Sequence, residues 1–177
     1  MRPLLLTTAL LFPLAAFAAG SDDSTPPKPS KSTTECDAGM VYDTTSGACV
    51  VIKDSKLEDD ALYEAAREYA YAGRYDDALD ALGAMSEDGT DRILTYKGFI
   101  HRKLGDMDKG MSFYQAALEK NPDNILTRSY MGQAFVEIGK TGQAKLQLAY
   151  IRNSGGEGTW AETSLMKAIK TGKGYSY

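Results

Sequence analysis

The chain has 177 residues, 43% of them hydrophobic and 25% charged, with 20 Lys and Arg against 24 Asp and Glu for a formal net charge of −4. That supports one domain of about 120 residues with a small appendage, and mild acidity without a basic tract argues against nucleic-acid or anionic-membrane binding. One histidine and two cysteines are too few for a zinc site or a Ser-His or Cys-His relay, so no metal, cofactor or enzymatic activity is expected.

The N-terminus, MRPLLLTTALLFPLAAFAAG, sets one cation, Arg2, before an uncharged apolar run from Leu4 to Phe17. Ala16-Phe17-Ala18 then places small residues at the −3 and −1 positions of a cleavage site, so residues 1–18 are read as a secretory signal peptide. The run is too short for a transmembrane span of about 20 residues, and no second one follows, so no transmembrane segment is expected. Export predicts a periplasmic protein in a Gram-negative bacterium and a secreted one otherwise. Residues 19–34 are Ser, Thr, Pro, Lys and Asp with almost nothing apolar, which predicts a disordered linker.

Cys36 and Cys49 are the two cysteines, and an oxidising compartment predicts a disulfide between them. Met40-Val41-Tyr42 and Ala48-Cys49-Val50-Val51 flank the turn-forming Asp43-Thr44-Thr45-Ser46-Gly47, so residues 35–53 read as a disulfide-bridged β-hairpin. Closing so small a loop contributes about 3 kcal/mol in the chain-entropy model. The two cysteines do not form a C-x-x-C pair, so redox catalysis is not expected. The pattern C-x-x-G-x-V-Y-D-x-x-S-G-x-C-V over residues 36–50 resembles the core hairpin of peritrophin-type chitin-binding modules. That resemblance implies a possible cell-wall glycan contact, with Tyr42 as its one aromatic. The simpler reading is a stapled knob on a flexible arm.

Ser55-Lys56-Leu57-Glu58 has the form of a capping box and predicts a helix from about Lys56. Glycine-led turns then recur at Gly73, Gly105 and Gly139, 32 and 34 residues apart. Amphipathic runs flank each turn, as in Arg92 to Asn124, where two runs with i, i+3 and i+4 apolar spacing meet at Gly105-Asp106. A helix-turn-helix unit with a period near 34 resembles the tetratricopeptide repeat (TPR) family. The resemblance spans repeats 59–90, 91–124 and 125–158. Small residues match at Ala66, Gly98 and Gly132 and at their partners Ala78, Gly110 and Ala144, with large ones at Leu82, Tyr114 and Leu148. His101 stands where Tyr69 and Phe135 occupy the other repeats and is read as a packing residue. Thr159-Trp160-Ala161-Glu162 is a second capping box, so a capping helix is expected over 159–171, with Gly172 as its stop and Trp160 buried against the third repeat. The fold class is therefore all-α: a TPR solenoid over 55–172 with a C-terminal capping helix and a small N-terminal disulfide hairpin. The tail, 173–177, is unassigned, although its tyrosines could pack back on the array.

Asp59-Asp60 and Asp76-Asp77 read as solvated residues at helix starts. Ala134 to Thr141 has the spacing of a loosened phosphate-binding loop but lacks its first glycine and sits at a helix end, so it is set aside. In the TPR family the first helices of the repeats line a concave groove. Carried over, those positions include Tyr63, Arg67, Tyr71, Arg92, Thr95, Phe99, Arg102, Lys103 and Gln133, with Asp60 and Glu137 also among them; the three arginines and Lys103 beside Tyr63, Tyr71 and Phe99 form a basic and aromatic strip in an acidic protein. Such a strip suits an extended peptide with an acidic side chain or free carboxylate. The expectation is a non-enzymatic adaptor or scaffold for a protein or peptide partner in the cell envelope.

Overall fold

The computed structural model describes residues 25–175. The signal peptide expected over residues 1–18 and the start of the linker lie outside the described residues, as do the last two positions of the tail. The chain is mostly helical: a one-turn helix α1 (Lys31–Thr34), strands β1 (Met40–Asp43) and β2 (Ala48–Val51), a 3-10 turn (Ile52–Asp54), then α2 (Asp59–Tyr71), α3 (Tyr75–Ala84), α4 (Asp91–Lys103), α5 (Met107–Lys120), α6 (Ile125–Glu137), α7 (Thr141–Asn153) and α8 (Trp160–Thr171).

Helices α2 to α7 form three successive pairs, α2 with α3, α4 with α5 and α6 with α7. One device closes each pair. Gly73, Gly105 and Gly139 adopt left-handed φ of 76°, 89° and 76°, and the next residue donates its N–H five residues back: Arg74 to the Tyr69 carbonyl, Asp106 to His101 and Lys140 to Phe135, at 2.7–2.9 Å. Glycine takes this conformation at least cost, so the helix stops there and the chain reverses.

The paired helices touch where side chains are smallest. A Cβ added at Gly98 would lie 2.5 Å from Tyr114 Cε1 and 3.1 Å from the Gly110 carbonyl, and one at Gly110 would lie 3.1 Å from the Gly98 carbonyl. Ala66, Ala78 and Ala144 are fully buried at the equivalent positions. The first helices then stack, α4 on α2 and α6 on α4, and α8 rests on both α6 and α7. Leu165 of α8 packs over Gly132, filling the space a Cβ would need.

The hairpin is present, with Tyr42 opposite Cys49 in antiparallel register and the Cys36–Cys49 disulfide in place. It is not a knob on a flexible arm. Val41 and Ile52 are buried in the same core as α2 and α3, Tyr69 donates its hydroxyl to the Met40 carbonyl at 2.7 Å, and Gly39 N–H reaches Asp77 Oδ1 at 2.7 Å. Arg74 ties the dock together: its guanidinium binds Asp77 at 2.6 Å and donates to the carbonyls of Ser32, Cys36 and Asp37. The hairpin thus covers the first helix pair as α8 covers the last.

Three further expectations are corrected. Residues 25–34 do not form a loose linker: Glu68, buried at 8% exposure, accepts the Ser30 N–H and the Thr33 hydroxyl, fixing this polar segment to α2 through hydrogen bonds rather than apolar burial. The helix begins at Asp59, not Lys56, because the 3-10 turn drops Ile52 into the core and Ser55 follows in extended conformation. The acid pairs do stand in the first turns of α2 and α3, and Asp60 and Asp76 are exposed as expected, but one member of each pair is a tertiary tie instead: Asp59 accepts the N–H groups of Ser86 and Glu87, and Asp77 is buried beneath the hairpin.

Gly98→Ala should lower the unfolding free energy by about 2 kcal/mol, since Tyr114 and the α5 backbone leave no room for a methyl. Gly83→Ala, a helical position with open space, should raise it by about 0.5 kcal/mol. Denaturant titration checks both, and equal effects would contradict the close-approach assignment.

Candidate functional site

The inner helices carry an aromatic ladder. Tyr63 meets Tyr96 edge-on at 5.6 Å, and Tyr96 meets Tyr130 the same way at 5.9 Å, linking α2, α4 and α6. At the other end of α2, Tyr71 stacks on Phe99 at 5.4 Å and joins hydroxyls with Tyr130, while Trp160 of α8 donates its indole N–H to the Tyr71 hydroxyl at 3.3 Å. The first pair and the last helix therefore meet across the inner face. Trp160 is half-buried here, rather than packed away behind the third pair, because α8 presents its N-terminal end to α2.

The nine nominated residues are brought onto this face, but none of them is exposed. Tyr63, Arg67, Thr95, Phe99, Arg102 and Gln133 are buried, and Tyr71, Arg92 and Lys103 are half-buried. The Thr95 hydroxyl is used internally, donating to the Asp91 carbonyl at 2.6 Å and meeting Thr127 at 2.5 Å. The arginines already hold carboxylates. Arg67 binds Glu64 at 2.9 Å, the Tyr96 hydroxyl at 3.2 Å and the Thr25 carbonyl at 3.1 Å. Arg92 pairs with Asp60 and Glu87. Arg102, with its side chain fully buried, pairs with Glu137 at 2.7 Å.

Around Arg102 the electrostatics are concentrated. Burial alone would lower its pKa, but Tyr114 and Glu137 together raise it and keep the guanidinium charged. Burial pushes the Tyr114 hydroxyl up to about 12, so it stays protonated. Arg102 Nη2 is buried without an acceptor among the described residues, which costs about 1–3 kcal/mol or more for a charged donor. Lys103 beside it is held below the ordinary lysine value by burial and then by the Arg102 charge, with Glu137 opposing.

The tail lies on this cluster. Tyr175 donates its N–H to Gln133 Oε1 at 3.1 Å, and its carbonyl accepts from Lys103 Nζ at 2.8 Å. Its ring meets Trp160 edge-on at 4.8 Å, with Lys167 Nζ 4.5 Å from the ring centroid. Gly174 passes over the Arg102–Glu137 pair so closely that an added Cβ would collide with Glu137 Oε1. The two hydrogen bonds contribute about 1 kcal/mol each, the ring pair about 1 and the cation–π contact about 0.5. Ordering residues 173–175 costs about 1–2 kcal/mol per residue, so the tail is held with little net free energy.

Sequence reasoning places Glu137 on the groove but misses Lys167, Gly174 and the placement of Trp160 at this seat. A usable signal was Gly174-Tyr175 directly after the Gly172 helix stop: a small and an aromatic residue in a segment free to turn back. Among the described residues no group of three His, Cys, Asp or Glu side chains is placed to hold a metal ion. Elsewhere, an open cleft of about 590 Å³ between α7 and α8 is lined by Lys145, Leu148, Arg152, Met166 and Ile169 among others.

No protein-family model, curated protein or solved structure matches the chain. The class its geometry defines is a mostly helical protein of successive helix pairs with a disulfide-bridged hairpin at one end.

Helix α8, which supplies Trp160 and Lys167, is seated by Glu162. The Thr159 hydroxyl caps the helix by accepting the Glu162 N–H, while the Glu162 carboxylate accepts from Arg152 at 2.6 Å and from Gly158 N–H at 2.7 Å. The Arg152 hydrogen bond and then the Gly158 N–H hold its pKa below the ordinary glutamate value of 4.5. A depressed carboxyl stabilises the fold above the unfolded-state pKa and loses that contribution as pH falls through the folded value. Glu162→Gln should therefore cost about 1.5 kcal/mol at pH 7 and progressively less below pH 4.5, as read by thermal melts across pH; a cost independent of pH would contradict the assignment.

Proposed function

We propose that this is an exported, non-enzymatic adaptor of the TPR type that holds an extended segment of a protein partner against the inner face of α4, α6 and α8. The reading is supported above all by one observation: Tyr175 is gripped through both of its backbone groups, by Gln133 and Lys103, and through its ring, by Trp160 and Lys167. Side chains that pair with backbone N–H and C=O recognise an extended peptide as such, and an aromatic seat supplies contact area. TPR architecture is supported by the recurrence of the glycine turns at intervals of 32 and 34 residues and by the small residues at the pair contacts. Export is supported by the disulfide and the N-terminal sequence, and among the described residues no helix is long and apolar enough to cross a membrane.

Two details of the expected ligand change. Arg67, Arg92 and Arg102 are engaged by Glu64, Asp60, Glu87 and Glu137, so an acidic peptide would have to displace internal carboxylates; backbone recognition at Lys103 and Gln133 is the better-supported mode. The glycan reading of the hairpin gains nothing, since Lys31 lies 4.7 Å over the Tyr42 ring and donates to its hydroxyl at 3.3 Å.

A photo-crosslinking amino acid placed at position 103, and separately at position 146 on the exposed outer face, tests this in the living cell. The expected result is a partner protein crosslinked from 103 and not from 146, through one short segment found by mass spectrometry. Crosslinking from 146 alone would overturn the inner-face assignment.

A further inference from the structure

The tail contacts define more than a place where a peptide lies. We propose that the seat between α4, α6 and α8 reads a glycine followed by an aromatic residue in an extended partner peptide, and that Gly174-Tyr175 is a tethered copy of that ligand which the partner displaces. The inference rests on the peptide-binding reading above and adds what the peptide must contain and what guards the site.

Each half of the dipeptide has its own reason. At the first position, any Cβ would strike the Glu137 carboxylate and come within 3.0 Å of Arg102 Nη1. Glu137 cannot simply swing aside, because it is the 2.7 Å partner of a fully buried Arg102, and moving it would leave that cation without its counter-ion. Glycine is the residue that passes. At the second position, Trp160 and Lys167 flank an aromatic ring on its edge and face, a combination that an aliphatic side chain cannot use equally. The backbone of the same residue is fixed by Gln133 and Lys103, which sets its register on the seat. The Gln133 acceptor is itself oriented: its amide group lies 3.4 Å from both Ser129 and Ser164 hydroxyls, all buried. This is a built site, since Gln133, Trp160 and Glu137, which meet the tail, are each held by a second partner inside the protein.

The tail is also an imperfect occupant. Among the described residues Arg102 Nη2 is buried without an acceptor while Gly174 lies over the pair, so a partner segment with a carbonyl or carboxylate reaching Nη2 would gain a hydrogen bond that Gly174 and Tyr175 do not make. A tethered segment nonetheless competes strongly, because a short connection to Gly172 gives it an effective concentration in the millimolar range. The guard is thus weak in contacts and strong in proximity, which lets a longer partner segment replace it.

Trp160 is the one tryptophan of the chain and touches the seat, so its emission reports occupancy. The experiment titrates acetyl-Lys-Gly-Tyr-amide, a copy of residues 173–175, into the full chain and into its Gly174→Ala variant, with helical circular dichroism confirming the fold. A chain ending at Gly172 repeats the titration should the variant lose helicity. The opened proteins should show shifted Trp160 emission that the peptide saturably reverses, with binding at least about twofold weaker to the unaltered chain, the factor imposed by a tail seated about half of the time. Replacing the peptide's glycine or tyrosine by alanine should weaken it at least tenfold. No response in the opened proteins, equal response in the unaltered chain, or equal binding of the alanine peptides would overturn the proposal. A partner crosslinked from position 103 through a segment lacking a glycine–aromatic pair would overturn the dipeptide rule alone, whereas no crosslink at that position would remove the peptide-binding reading itself.

Discussion

Backbone approaches backbone between the helices of each pair, and the rest of the molecule depends on that contact. Where Gly98 faces Gly110 there is no side chain to separate α4 from α5, and alanines serve the same role at 66, 78 and 144. Close pairing at one point forces the large residues outward around it, and Tyr114 lies directly against Gly98. With each pair set as a unit, the first helices are left to stack on one another, and their facing surfaces carry the aromatics that link α2, α4 and α6. Small residues at the pair contact and large ones at the stacking contact together determine where the inner face lies.

A stack of helix pairs has two apolar ends, and both are covered. At the start the cover is β structure held by a disulfide and by the Arg74–Asp77 pair; Arg74 follows Gly73 in the first turn and Asp77 lies in the first turn of α3, so the pair links the turn that closes the first helix pair to the hairpin that shields it. At the finish it is α8, whose Leu165 occupies the space above Gly132. The cover at the finish also brings Trp160 across to Tyr71. The inner face is consequently a filled surface with one seat at its edge, instead of an open groove.

Much of this was legible in the sequence because it is periodic or local. Turn glycines, small residues at paired positions and the Thr159 cap each mark a backbone event within a few residues of themselves, and the hairpin announces itself by two cysteines around a turn. What was hidden is long-range and polar. Nothing near Asp77 distinguishes a residue that will hold Gly39 across the fold from an ordinary acid at a helix start, and Asp59 and Asp60 are ambiguous in the same way. Glu68 fixing residues 30–33 is equally silent, since a polar segment without apolar periodicity has the composition of a linker. The nine nominated site residues do converge, but positions taken along the helices carry no information on whether the face they line is open, and so the pairing of the three arginines with internal acids could not be foreseen. The Ser55 box misled because a local hydroxyl and glutamate spacing cannot register the pull of Ile52 into the core.

The central claim is that the tail of this chain occupies its own peptide seat, and nuclear Overhauser contacts in the full-length protein test it most directly. Cross-peaks between the Tyr175 ring protons and the Trp160 indole, together with a Tyr175 amide protected from solvent exchange, are the predicted result. A Tyr175 amide exchanging at the rate of an unstructured peptide, with no contact to Trp160, would contradict it.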